Sequence, residues 1–346
     1  MLFDPVVPAL PIPPDLTARY MRDRAGRTWL DSLPGLLADR LEQWQLDVDL
    51  APGSLPWSGH GGIVLPVRQD DGSPAALKIA FPHDEAKVER HALALWGGRG
   101  AVALLASDAE SCAMLLERLD AGRSLADVPL DDAAVVWGGL VRQLGLAPDH
   151  RPEWREFADI AGRAEQWSDQ LPADWEQLGR PFPRWLLEAA LEVCQTRGAV
   201  GRRSAHDLLV HTDLHFLNVL ARPGKQPTGE APTAAGYAAI DPQPMIGEPE
   251  FAVAPLLWNR LADLPASRPG AALLTRCHDF STAAGLDPDV ARQWAIAREV
   301  DNALGYAAQG HQGGLARSLW VSSTLAGKTL DGLPHPHSLP EPGQDG

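Results

Sequence analysis

Residues 211–218 read His-Thr-Asp-Leu-His-Phe-Leu-Asn, and 23 residues after Asn218 comes Asp241, inside the apolar run Ala238-Ala239-Ile240-Asp241-Pro242. An Asp and an Asn five apart on a loop, with a second Asp at the end of the next strand, is the arrangement a magnesium nucleotide site needs. One carboxylate orients or deprotonates an attacking hydroxyl, while the amide and the other carboxylate hold the metal that bridges the phosphates. Phosphoryl transfer depends mainly on positioning and electrostatic stabilisation, so hard oxygen ligands suffice and no Cys or Ser nucleophile is required.

Such a site also needs a cation held on a strand and an acid that fixes it. Lys78 lies within Ala75-Ala76-Leu77-Lys78-Ile79-Ala80, an apolar strand in which a lysine is out of place. In the helix that follows, predicted over 84–96 with Asp84 as its N-cap, Glu85 and Glu89 share a face and either reaches back toward Lys78. Glu89 is the better partner, because a carboxylate in the first turn, such as Glu85, is already explained by the helix dipole. Upstream, Ser58-Gly59-His60-Gly61-Gly62 is a loop able to fold over phosphates with its backbone N–H groups, Ser58, Gly59 and Gly61 being the candidates.

Farther out, IVLPV (63–67), the turn residues Asp70-Asp71-Gly72 and AALKIA (75–80) form a hairpin pattern, as do VALLAS (102–107) and CAMLLERL (112–119). Beyond Gly122, helical periodicity dominates over 131–146, 154–170, 184–197, 272–284 and 288–307. The order implies an α+β fold in two lobes, a small antiparallel N-lobe with one inserted helix and a larger, mainly helical C-lobe. The expected boundaries are 1–54 for a helical extension that covers something larger, 55–121 for the N-lobe, 122–334 for the C-lobe and 335–346 for a disordered tail.

The chain has 346 residues and a formal net charge of −15. That balance disfavours nucleic acid and favours a cationic small molecule. Three cysteines without metal-site spacing argue against a disulfide framework and structural zinc. The proline-broken start cannot form a signal or membrane helix, so the expectation is a soluble, cytoplasmic protein without a membrane or nucleic-acid partner. Oligomeric state is not readable from the sequence.

The segments HTDLHFLNVL (211–220) and AAIDPQPMIGEPEF (238–251), with ALKIA, ERHALALW (89–96) and LLERL (115–119) before them, resemble the kinase-like aminoglycoside phosphotransferases, in particular the streptomycin 6-phosphotransferase and hydroxyurea-kinase subgroup. The resemblance covers roughly 56–259. It implies a protein-kinase-like fold and ATP-dependent transfer to a small-molecule hydroxyl. By that resemblance Asp213 is the catalytic base, Asn218 and Asp241 are Mg2+ ligands, Lys78 holds the α- and β-phosphates, and the backbone of Glu117 to Leu119 reads the adenine edge. Two positions depart from the family pattern: Thr212 stands where Gly is usual, and Ala252 stands where relatives place an Asp that braces the catalytic loop.

Acceptor-side candidates are His215, Glu248, Glu250 and Asp301, with an aminoglycoside such as streptomycin as the expected acceptor. Other readings stay open. They are a kinase-fold nucleotide-binding scaffold, favoured by Ala252, a small-molecule kinase with a non-antibiotic acceptor, and a metal-dependent hydrolase built on His211, Asp213 and His215. His211 itself reads as a buried scaffold residue bonded to backbone. Gly327-Lys328-Thr329 resembles the end of a phosphate-binding loop but lacks its preceding glycine and strand, and reads as a helix end.

Overall fold

The computed structural model describes residues 10–59, 61–198, 206–224 and 231–341. The chain divides into two compact units, Met1–Gly98 with Val102–Leu119, and Arg99–Ala101 with Asp120–Gly346.

The first unit opens with helices α1 (Pro14–Tyr20) and α2 (Arg24–Gln43), followed by strands β1 (Asp47–Val48), β2 (Trp57–Ser58), β3 (Gly62–Arg68) and β4 (Pro74–Ala80). Helix α3 (Asp84–Trp96) and strands β5 (Leu104–Asp108) and β6 (Ala113–Glu117) complete it. The six strands form an antiparallel sheet in the order β1-β3-β4-β6-β5, with β2 paired to β3. The β3–β4 and β5–β6 hairpins are those expected from sequence. Lys78 therefore sits on an interior strand, opposite Val64 on one side and Met114 on the other.

The amino-terminal helices are an integral part of this unit. Leu16, Trp29, Leu30, Leu33 and Leu37 share one core with Ile63, Leu65, Leu77, Ile79 and Leu115. Burial of these side chains stabilises by about 1.5–3 kcal/mol each before conformational entropy is set against it. Helix α3 begins one residue differently from expectation. Its cap is His83, extended in its backbone, whose ring Nδ1 accepts from the Ala86 N–H, so Asp84 is the first helical residue. Gly97 ends the helix in the left-handed conformation, at φ 54°.

In the second unit the elements are β7 (Asp120–Ser124), α4 (Leu130–Leu144), β8 (Ala158–Asp159), α5 (Ile160–Gln177), α6 (Arg184–Arg197), β9 (Leu208–His211), β10 (Val219–Ala221), β11 (Tyr237–Ala239) and β12 (Pro244–Gly247). Four helices follow: α7 (Ala254–Leu257), α8 (Pro269–Ala284), α9 (Pro288–Gln309) and α10 (Gln312–Leu325). The helix expected over 154–170 is displaced, because Asp159 caps a helix that starts at Ile160 and Trp154 lies in a preceding 3-10 turn. Gly327 follows the end of α10 at φ 89°, as a helix terminus requires. The tail expected to be disordered is ordered through Glu341. His337 Nε2 donates to Leu264 O at 2.6 Å, and Glu341 Oε2 accepts from Arg260 N at 3.2 Å. Positions 342–346 lie outside the described residues.

Candidate active site

Two strand pairings build the chemistry of the second unit. Strand β9 delivers the chain into the 212–218 loop and β10 carries it out, while β11 and β12 flank Asp241. Since β9 pairs with β12 and β10 with β11, Asp241 is set beside that loop. Ile240 N–H closes the joint by donating to Asn218 O at 2.9 Å. Asp241 takes φ 51°, a left-handed conformation that Asp tolerates better than most side chains.

Within the loop, Asn218 Nδ2 donates to Asp213 O at 2.9 Å and to Asp213 Oδ2 at 3.2 Å. This fixes the amide so that its oxygen is the atom left for a metal, and it orients the Asp213 carboxylate. Thr212 uses both N–H and hydroxyl on Gln243 O, at 3.1 and 2.7 Å, so a side chain where Gly is usual adds a tether. Trp137 Nε1 holds Leu214 O at 3.0 Å from the buried face of α4.

His211 is a scaffold residue, as its pattern predicts. Its Nδ1 accepts from Asp213 N at 3.2 Å and its Nε2 donates to Ile240 O at 2.9 Å. Burial holds the ring neutral, its pKa down at about 4. With both ring nitrogens committed to backbone, His211 has no lone pair for a metal. That removes the key ligand of the hydrolase reading. His215 caps the short 3-10 turn at 216–218 through Nδ1, and its Nε2 lies 3.7 Å from Asp213 Oδ2.

One residue absent from the sequence expectations joins this group. Arg298, on α9, donates through Nη1 to Thr212 O, places Nη2 3.7 Å from Asp213 Oδ1, and lies over the Phe251 ring at 5.5 Å. Its signal in the sequence was a charged Arg298-Glu299 pair between Ala297 and Val300, in a helix stretch whose neighbours are buried.

The other acceptor-side candidates divide. Glu248 is occupied in bracing the fold: Oε1 accepts from Arg197 Nη1 at 3.1 Å and Oε2 from Trp294 Nε1 at 2.7 Å. Glu250 accepts from Asp287 N at 3.2 Å, and burial raises its pKa. Asp301, one turn beyond Arg298, lines a cavity of about 450 Å³ with Asp174, Gln177, Asn302, Tyr306 and Gln309. Burial raises the Asp301 pKa, with Arg163 and Arg298 opposing it.

In the first unit, Lys78 Nζ donates to both carboxylate oxygens of Glu89, at 2.7 and 2.8 Å, with both residues buried. Glu89 thus pairs with Lys78, and the Glu85 side chain lies outside what the structure describes. Gly62 admits no side chain, since a Cβ there would fall 2.4 Å from Ile79 O. Gly59 N–H is spent on Gly62 O at 3.1 Å, so Gly59 contributes a turn and not a phosphate donor; Ser58 Oγ is bonded to Asp15. His60 lies outside the described residues. Glu117 N–H is taken by Ala103 O at 2.9 Å, and the chain leaves the first unit at Leu119.

The family model for aminoglycoside/hydroxyurea antibiotic resistance kinases matches residues 47–310. The chain belongs to this family. Streptomycin 6-kinase of Streptomyces glaucescens is 37% identical over 298 residues that cover 85% of this chain and 90% of that protein. Hydroxyurea phosphotransferase of Kitasatospora aureofaciens is 35% identical over 326 residues, covering 92% and 86%. Among solved structures, a thermostable mutant of aminoglycoside phosphotransferase APH(4)-Ia, in ternary complex with AMP-PNP and hygromycin B, is 16% identical, with a TM-score of 0.53 and coverage of 84% and 96%. The likeness shows the shared kinase-like fold. As a member of the resistance-kinase family the chain is a nucleotide-dependent phosphotransferase with an alcohol group as acceptor. No helix among the described residues is long and apolar enough to cross a membrane.

Proposed function

We propose that this kinase transfers the γ-phosphoryl group of ATP to a hydroxyl of a streptomycin-like aminoglycoside, with Mg2+, and so inactivates the antibiotic. The observation that carries the proposal is the locked geometry of Asp213: an amide from Asn218 on one carboxylate oxygen, a guanidinium from Arg298 near the other, and a backbone tied by His211 and Thr212. A carboxylate so oriented accepts a proton from an attacking hydroxyl as the phosphoryl group moves.

Asn218 and Asp241 would hold Mg2+. The fit rests on two hard oxygens, with the amide orientation fixed by Asp213; phosphates and water complete such a site in kinases, which need few protein ligands. When bound, the ion neutralises charge on the phosphates. Lys78, fixed by Glu89, would grip the α- and β-phosphates. The cavity lined by Asp301 and Asp174 would receive the cationic part of the acceptor, since Asp301 follows Arg298 by three residues, about 4.5 Å along the helix axis. In this reading 55–121 serves as the N-lobe and 122–334 as the C-lobe, in a cytoplasmic enzyme that meets its antibiotic after entry.

Incubating the protein with MgATP and streptomycin and searching by mass spectrometry for a mono-phosphorylated product tests the proposal. Absence of product across a broad aminoglycoside panel would remove the acceptor assignment. A second reading, a nucleotide-binding scaffold, is favoured by buried Ala252, whose methyl offers the catalytic loop no hydrogen bond. Nucleotide affinity without phosphate release from any acceptor would select it.

A further inference from the structure

The amino-terminal helix α1 contacts one end of the glycine loop directly and backs the other through Phe81. Ser58 Oγ donates to Asp15 Oδ2 at 2.6 Å, and Arg19 Nη1 donates to Gly59 O at 2.8 Å. Asp15 and Arg19 are four residues apart, so one face of the helix presents both. At the other end of the loop, Phe81 N–H donates to Gly61 O at 2.8 Å. The Phe81 ring packs on Tyr20, the last residue of α1, at 4.8 Å between centroids, and on Trp29 of α2 at 5.6 Å. Leu16, fully buried in the core, holds the helix against sliding. The Ser58 hydrogen bond is also the main cause that holds the Asp15 carboxyl below its ordinary range.

The family match begins at residue 47, so the clamp pairs residues outside the matched span with loop residues inside it. Two consequences bear on an anionic ligand. Arg19 covers a carbonyl that would repel phosphate, and the positions of Ser58 and Gly59 are fixed on folding and not on binding.

We propose that α1 is a positioning element of the nucleotide site: Asp15 and Arg19 fix the turn at Ser58 and Gly59, and Tyr20 backs the Phe81 that holds Gly61, in the arrangement that receives a nucleoside di- or triphosphate. The inference rests on the reading of this loop as phosphate-binding. Its effect falls on nucleotide affinity, leaving acceptor affinity untouched.

The test compares the full-length parent with D15A/R19M, D15N/R19K and S58A, reading the MgADP dissociation constant by titration calorimetry and the melting temperature. D15A/R19M is expected to bind MgADP at least about fivefold more weakly than the parent, because the lost order must be supplied on binding. S58A, which cuts the same contact from the loop side, should weaken binding in the same direction. D15N/R19K keeps an acceptor for the Ser58 hydroxyl and a donor for the Gly59 carbonyl, and should stay within about twofold of the parent, with all melting temperatures within about 2 °C. Equal affinities in all four proteins would overturn the proposal. So would a loss that tracks a falling melting temperature and is not restored in D15N/R19K, since that is a structural role. A parent that binds no MgADP would instead overturn the nucleotide reading of the loop, and this inference with it. Calorimetry with MgADP needs no acceptor, so an incorrect acceptor assignment leaves the result intact.

Discussion

Arg298 Nη2 lies 3.7 Å from Asp213 Oδ1, while the same guanidinium donates to the Thr212 carbonyl one residue earlier in the loop. A residue 85 positions downstream thus binds the Thr212 backbone and pairs with the Asp213 carboxylate, the base in the proposed reaction. Arg298→Met should therefore lower kcat for antibiotic phosphorylation by about 10²-fold, the scale of a lost oriented donor, with both KM values within about threefold of the parent. Steady-state kinetics over both substrates checks this; a change confined to KM would reassign Arg298 to binding.

Asp213→Asn keeps the shape of the side chain and removes the proposed proton acceptor. MgADP affinity should remain near that of the parent while turnover falls by about 10²–10⁴-fold, the range for loss of a general base. Calorimetry paired with a single-turnover assay measures both quantities, and retained turnover would take Asp213 out of the base role.

The Lys78–Glu89 pair is buried on both sides. Glu89→Leu alone leaves an ammonium without its carboxylate in the core and should destabilise the first unit by about 3–5 kcal/mol. The double variant Lys78→Met with Glu89→Leu should recover most of that loss while remaining inactive. Chemical denaturation of the parent, both single variants and the double variant forms the cycle; additive losses would mean that the pair is not coupled.

Asp301→Asn removes a charge from the wall of the 450 Å³ cavity without changing its shape. KM for streptomycin should rise about tenfold with KM for ATP unchanged, as expected when one charged contact to the acceptor is lost. An equal effect on both substrates would place Asp301 outside the acceptor site.

Glu299, next to Arg298 and fully buried, has its pKa raised to about 7 by burial, opposed by the neighbouring Ser318 hydroxyl and the Arg298 charge. Its folded-state pKa exceeds the unfolded value of 4.5, so its contribution to stability is intact below about pH 4.5 and is lost as pH rises through 7. Glu299→Gln removes this dependence. The stability gained by the variant over the parent should grow by about 2.5 kcal/mol between pH 5 and pH 8, read from urea unfolding at each pH. A gain that is flat with pH would show that the carboxyl titrates normally.

Much of this arrangement was readable from sequence because it is local. Asp213, Asn218 and Asp241 lie on loops whose flanking strands are marked by apolar runs. Lys78 announces itself as a lone charge in an apolar strand, and Glu89 follows from helical spacing. The contacts that were not readable are distant in sequence. Asp15 and Arg19 meet residues 43 and 40 positions away, and nothing in a short helix pattern signals a loop partner. Arg298 was hidden because helical periodicity says which face is buried and not which backbone carbonyl a half-buried arginine will find. Composition also misjudged the tail: proline and histidine suggested disorder, but His337 and Glu341 satisfy backbone groups at 264 and 260. At His83, a ring nitrogen did the work expected of a carboxylate, an ambiguity of one residue that cap preferences do not resolve.

Regulated kinases withhold activity by pulling the strand lysine and the helix glutamate apart until a modification or partner restores the pair. Here every contact that joins Lys78 to Glu89 comes from within one compact unit, and α3 is secured at its start by His83 and at its end by Gly97. Drawing the pair apart would mean shifting α3 against its own unit and leaving an ammonium and a carboxylate buried without each other, a cost of several kcal/mol that holds the two together whether or not a ligand is bound.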